Sequence, residues 1–238
     1  CALLLCGALL IPQVSAAAAG SWPAWAEEAL SWGREASISQ EFLSEPEETV
    51  TRGMAAQLLY EAAGRPAVPG ECPFSDVSGA YAGAVTWAAE QGYLTGVGDG
   101  KYEPARSVTR QEFAAILWRR AGSPGTAVQG LDQFRDAGAV GEWARTPMLW
   151  AMQADIMTGR GQDQLAPTGT ITVAEALAML ERAHALPDVT QLRADLEALT
   201  AAHRPVGSQG EADAVQYLKE RFEAMGYTVT LQPYTDSQ

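Results

Sequence analysis

The chain has 238 residues and a formal charge of -13, with 47% hydrophobic and 19% charged residues. That is the composition of a folded globular chain with room for one to three small domains. The acidity excludes a broad nucleic-acid surface, which needs a basic patch, but leaves room for a local anion site built on one or two arginines.

The first segment is "CALLLCGALLIPQVSAAAAG". Its apolar run, Ala2 to Ile11, is shorter than the roughly 20 residues that span a bilayer. Pro12 and small residues follow, and Val14-Ser15-Ala16 and Ala16-Ala17-Ala18 both fit a small-x-small cleavage pattern. Residues 1–19 therefore read as the remnant of a secretory signal peptide without its charged start, at the head of an N-terminally incomplete chain. The remainder is expected to be secreted, with no membrane span after signal removal. Cys1 and Cys6 would leave with that segment, so Cys72 has no intrachain disulfide partner. One cysteine and two histidines do not make a thiolate zinc site, and no cofactor is expected in this chain.

Three related units follow. Trp32, Trp87 and Trp150 each lie in an apolar helical stretch, and Thr51, Thr109 and Thr172 each open a second one. The step from tryptophan to threonine is 22 residues in the second and third units and 19 in the first. Pro46, Pro104 and Pro167 each stand five residues before the threonine. The second and third units also share an entry, Phe74-Ser75-Asp76-Val77 against Phe134-Arg135-Asp136-Ala137. Each unit predicts helix, loop, helix, with repeats at 22–66, 74–124 and 134–186.

In the second helices apolar residues recur at i, i+3 and i+4: Ala55, Leu58, Leu59; Phe113, Ile116, Leu117; Ala176, Met179, Leu180. This spacing puts one apolar stripe on each helix. Thr109 with Glu112 and Thr172 with Glu175 have capping-box spacing, whereas Met54 leaves the first cap half made. Gly64 and Gly122 fall where a left-handed residue ends a helix. One such helix pair is too small to be stable alone, so three stripes facing one another predict a mainly α, pseudo-threefold bundle. A linear solenoid would leave its apolar ends bare.

The strings "FSDV" and "AVTWAAEQGYLTGVGDGKYEPARSVTRQEFAAILWRRAG" (84–122) resemble S-layer homology domains. The third unit matches in outline and the first more weakly, and together they cover residues 22 to 186. The resemblance implies three tandem repeats in a spindle around a central three-helix bundle, with grooves between the copies. It implies non-covalent attachment of an exported protein to the bacterial cell wall through a secondary cell-wall polysaccharide, often pyruvylated and so anionic. It also implies that an arginine at the second-helix start reaches the groove.

On that basis the expected ligand-binding residues are Arg110, Arg52, Gly98, Asp99, Gly100 and Lys101. A helix N-terminus with free amides suits a carboxylate, Arg110 adds a bidentate contact, and the glycine turn lets backbone approach a sugar. Trp87 is expected in the core rather than under a sugar ring. The first unit keeps Thr51-Arg52 but has Phe42 and Leu43 in place of the glycine loop. The third keeps Gly159 and Gly161 but has Gln162 aligned with Asp99, and Val173 where the arginine belongs. At most two grooves are expected to bind, with the third unit mainly structural. Two carboxylates, Asp99 and Glu103, are too few for a calcium loop, and the phosphate-loop pattern is absent.

After Pro187 the pattern changes. Residues 188–202 read as an amphipathic helix, a second helix follows Ser208, and Tyr227 to Tyr234 alternates like a strand. This is an incomplete α/β segment of two helices and one strand. The stretch "HRPVGSQGEADAVQYLKERFEAMGYTVTLQPY" resembles the N-terminal start of a zinc aminopeptidase (di-zinc exopeptidase) domain, here truncated over 188–238. That resemblance implies zinc only in a further domain, since no metal ligand or catalytic residue of that family is present, and His203 alone is no metal site. Two alternative functions accompany wall anchoring: the leading part of a surface metallo-aminopeptidase, and a protein-interaction or self-assembly module.

Overall fold

The structure is a computed structural model. It describes residues 21–68, 70–126, 130–161, 163–186, 197, 199 and 209–224. The expected signal segment, the helix over 188–202 and the strand over 227–234 lie outside or almost outside these residues. The chain divides into two compact units between Leu186 and Pro187.

In the first unit, α1 (Glu27–Glu35), α4 (Ala82–Glu90) and α6 (Arg145–Gln153) are the first helices of the three repeats. Each follows a single 3-10 turn: Ala24–Ala26, Gly79–Tyr81 and Glu142–Ala144. The second helices are α3 (Arg52–Ala62), α5 (Arg110–Arg120) and α7 (Val173–His184). A short α2 (Gln40–Ser44) fills the connection of the first repeat. Helix α3 packs on α4, α5 on α6, and α7 on α1. Each second helix thus packs on the first helix of the next repeat, and the third repeat returns to the first.

The backbone closes the same ring. Val108 N–H donates to Val50 at 2.9 Å, Val50 to Ile171 at 2.9 Å, and Ile171 to Val108 at 3.4 Å. These three residues have no exposed surface. The cycle of bridges Thr51 to Ser107, Thr109 to Thr170 and Thr172 to Thr49 surrounds them. A closed cycle leaves no terminal repeat to cap, which is why a solenoid is not formed.

All nine stripe residues predicted on α3, α5 and α7 are buried. Trp87 is buried too, edge-on to both Tyr60 and Tyr93. Thr109 and Thr172 accept from the N3 amide while Glu112 and Glu175 accept from the cap amide. The first repeat corrects the expectation of a half-made cap. There the Met54 sulfur accepts from Thr51 N–H at 3.5 Å, a weak replacement for the carboxylate.

The second unit contributes one described helix, α8 (Gln209–Ala224). No helix among the described residues is long and apolar enough to cross a membrane, and no cluster of metal-ligating side chains occurs among them.

Candidate functional site: two grooves between repeats

The Asp99-Gly100 pair sits at the tip of a tight turn. Both residues have positive φ, 49° and 66°, and Lys101 N–H donates back to Gly98 at 2.9 Å. This is the hairpin turn that Asp-Gly favours. Its tip is tied to the repeat's own entry, where Ser75 N–H donates to Gly100. Two residues behind the turn, Gly96 is required for a different reason: a Cβ there would meet the Lys101 carbonyl oxygen and the Phe74 ring, each at 2.7 Å.

The entry aspartate holds the far side of the loop. Asp76 accepts from Tyr102 and Glu103 N–H, both at 2.8 Å. Asp136 accepts from Leu165 and Ala166 N–H at 2.8 and 2.7 Å. The bonds fix Glu103 and Ala166 at φ of 58° and 48°, a conformation non-glycine residues avoid. The Tyr102 bond leads in holding Asp76 below its ordinary pKa. Burial works the other way at Asp136, but its two amide donors outweigh it and its pKa is also lowered.

The loop carbonyls are held from the preceding repeat. Arg52 donates from Nε to Tyr102 at 2.7 Å and from Nη2 to Thr95 at 2.8 Å. Arg110 donates from Nε to Leu165 at 2.9 Å and from Nη2 to Thr158 at 2.6 Å. Both guanidiniums are buried, 7% and 4% exposed, and burial is the main cause lowering the pKa of each. Arg52 Nη1 lies 4.0 Å from Glu112, and Arg110 Nη1 lies 3.6 Å from Glu175.

The predicted site residues are placed as follows. The Gly98–Lys101 loop belongs with Arg52 of the first repeat and not with Arg110, which serves the loop of the third. Gly98, Asp99, Gly100 and Lys101 are not among the residues lining either groove described below. Gln162 lies outside the described residues, and Asp163, at φ 52°, takes the place of Gly100. The helix N-termini offer no free first-turn amides either. Arg52 and Gly53 N–H donate to Arg106 and Pro104, Arg110 and Gln111 to Gly169 and Pro167, and Val173 and Ala174 to Glu48 and Pro46.

Two clefts open beside the arginines. The first, about 250 Å³, runs between Arg52, the loop segment Leu94–Val97 and the α5 residues Glu112, Ala115, Ile116 and Arg119, with Arg106 and Trp143 at its edges. The second, about 290 Å³, repeats it with Arg110, Ile156–Arg160, Glu175, Ala178, Met179, Arg182 and Trp25. Each draws on all three repeats. The third repeat lines most of the second cleft.

The edge tryptophans and the α5 and α7 arginines escaped the sequence reading. Trp25 and Trp143 are 57% and 56% exposed, the most exposed large apolar side chains among the described residues. A signal was present: Trp25 precedes Trp32 by seven residues, as Trp143 precedes Trp150. Arg119 and Arg182 each stand ten residues after the cap threonine.

The third equivalent position has no such set. Val173, Met54, Gln57, Leu58, Glu61 and Ala80 stand where a groove has Arg, Glu, Ala, an apolar residue, Arg and Trp. Glu61 is only 3% exposed, accepting from Ser39 N–H and Gln57 and pairing with Arg65. Tyr81 lies over Gly53, where an added Cβ would approach its ring to 2.5 Å.

The described residues form a closed module of three helical repeats with the two grooves above, each combining one buried arginine and two partly exposed ones with an exposed indole. Residues 73–114 and 133–177, which cover most of the second and third repeats, match the model of the S-layer homology domain. The chain is 27% identical over 149 residues to a cellulosome-anchoring protein of Acetivibrio thermocellus, covering 59% of this chain and 33% of that one. It is 31% identical over 142 residues to an amylopullulanase of Thermoanaerobacterium thermosulfurigenes, covering 57% and 8%. It is 28% identical over 144 residues to S-layer protein EA1 of Bacillus anthracis, covering 59% and 16%. The chain thus spans a third or less of the length of these relatives.

Proposed function

We propose that residues 22–186 are a wall anchor of three S-layer homology repeats, holding an exported protein non-covalently to the bacterial cell wall. The ligand is an anionic secondary cell-wall polysaccharide, with pyruvylated sugars as the acidic residues. The observation that carries this reading is the pair of equivalent grooves. Each sets three arginines and one glutamate beside an exposed tryptophan, in a chain whose overall charge is strongly negative. Arginine suits planar carboxylates, and an indole face stacks on the apolar face of a pyranose ring. An interaction or self-assembly module would have no need to repeat this set twice. Relatives named for anchoring and for the S-layer support the same reading.

The test is co-sedimentation of the protein with purified cell-wall sacculi. Trp25→Ala combined with Trp143→Ala should leave the protein in the supernatant with its helical content intact. Sacculi stripped of pyruvyl groups should no longer pellet the unmodified protein. Unchanged pelleting in the double variant would remove the grooves from the mechanism.

A further inference from the structure

The ring has three junctions, and they are not equally fastened. Arg52 fastens the first repeat to the second, and Arg110 the second to the third, each donating twice to backbone carbonyls of the next repeat. Val173 stands at the same place on α7, and its side chain has nothing to donate. The junction from the third repeat back to the first keeps the backbone bonds, Val173 to Glu48, Ala174 to Pro46 and Val50 to Ile171, without the guanidinium ones. The chain itself also ties the first repeat to the second and the second to the third, but not the third to the first.

The helix at this junction is also thinly packed. Helix α1 buries two small residues, Ala29 and Gly33, whereas α4 and α6 bury five each, Trp87 and Trp150 among them. Trp32, their counterpart on α1, is only partly buried, its ring 5.6 Å from that of His184 on α7. Stabilisation follows the apolar area taken from water, so α1 is held on α7 more weakly than α4 on α3 or α6 on α5. The approach is close: a Cβ on Gly33 would lie 2.7 Å from Leu177 Cδ2. Charge does not help, because burial and then Glu28 on α1 disfavour the ionised form of Glu181 on α7.

The second cleft depends on this junction through one side chain. Trp25, in the 3-10 turn ahead of α1, is what the first repeat gives to it, and the other lining residues lie between Arg110 and Arg182. The first cleft is lined by residues between Arg52 and Trp143, none of them in 22–44. We infer that the ring opens at the junction between the third and first repeats, with residues 22–44 moving as a strap. Opening withdraws Trp25 and takes the second cleft apart while the first stays whole. Ring closure is thus a conformational switch on one of two otherwise equivalent clefts. It is a property of the chain alone, independent of what either cleft binds.

The test is hydrogen exchange of the full chain, read by mass spectrometry on peptides of α1, α4 and α6. Peptides within 22–44 should share one level of protection, about tenfold or more below α4 and α6, the worth of one charge-assisted bond missing from the junction. Gly33→Val puts a branched side chain where a Cβ alone would crowd Leu177. It should speed exchange in 22–44 by about tenfold with α4 and α6 unchanged. Fluorotryptophan labelling reads the clefts: the fluorine signal of Trp25 should shift in Gly33→Val, and that of Trp143 should not. Equal protection in the three helices, or protection graded upward from Trp22 as in simple fraying, would overturn the strap. So would a Gly33→Val protein whose three helices exchange faster together. A Trp143 signal that moves with that of Trp25 would overturn the selective effect on the second cleft. If Gly33→Val does not fold, the comparison of the three helices in the unmodified protein decides.

Discussion

The guanidinium of Arg52 stacks on the ring of Tyr102 from the next repeat, its Cζ 4.3 Å from the ring centre, while the Tyr102 hydroxyl donates to the Arg52 carbonyl at 2.8 Å. Tyr102 is fully buried, and burial is the main cause pushing its hydroxyl pKa up, so it stays a neutral donor. The third repeat has Leu165 at the same place, also fully buried. Tyr102→Phe should therefore cost about 1 kcal/mol for the hydroxyl bond, with the stacking kept. Tyr102→Leu should cost about 1 kcal/mol more through the lost cation–π contact. Urea unfolding of the three proteins checks the order, and an equal loss in both variants would remove the cation–π contribution.

Arg110 and Arg52 hold the loops before they touch any ligand. Two donors of each are spent on backbone carbonyls, so the side-on edge used for bidentate pairing is occupied. Arg110→Lys retains a charge but cannot reach both carbonyls and Glu175 in one geometry. We expect it to lower stability by about 2–3 kcal/mol, the cost of buried groups left unpaired. Loss of wall binding in that variant should accompany a lower melting temperature. Trp25→Ala and Trp143→Ala should lose binding with melting unchanged. An Arg110→Lys protein of full stability would show that the side chain is not a staple.

The periodicity of α3, α5 and α7, their cap threonines and the closed bundle were all legible, because each depends on residues within one turn of each other or on a stripe that must be covered. The partner of each arginine was not. Arg110 and the Gly98–Lys101 loop are neighbours in sequence, yet the direction of ring closure sends Arg110 to residues 158 and 165. That direction is set by the backbone cycle through Val50, Val108 and Ile171, which no local pattern encodes. The aspartates of the "FSDV" and "FRDA" entries were visible as a shared motif, but their role as loop clamps depends on contacts about 26 to 30 residues away. Trp25 and Trp143 lie outside the helical stripes, where periodicity gives no reason to notice them.

Acid should unfold the repeats through a small set of carboxylates. Asp76 and Asp136 have folded pKa values below the ordinary 3.8, and Glu112 below the ordinary 4.5. At Glu112 burial opposes the shift, but the bonds from Arg106 and Thr109 outweigh it. A depressed folded pKa contributes stability that is complete above the unfolded value and lost as pH falls through the folded one. The melting temperature should therefore be flat above pH 5 and fall below about pH 4. Asp136→Asn should lower it at pH 7 and flatten the acid limb. A limb of unchanged steepness would assign acid sensitivity to other groups.

Glu181 shifts the other way. Burial, with Glu28 nearby, raises its pKa above the ordinary 4.5. Its position on α7 corresponds to Tyr60 on α3 and Trp118 on α5, which donate to the carbonyls of Pro66 and Pro124 and lock the turns after their helices. Glu181 has no hydrogen to donate when ionised. A raised folded pKa in an acid means that the folded state is favoured while the group is protonated and penalised as pH rises through that value. The side chain is only partly buried, so the penalty is small. Glu181→Gln should raise the melting temperature by about 1 °C at pH 7, corresponding to a few tenths of a kcal/mol, and leave it unchanged at pH 3. An equal gain at both pH values would place the effect in helix propensity or packing rather than in charge.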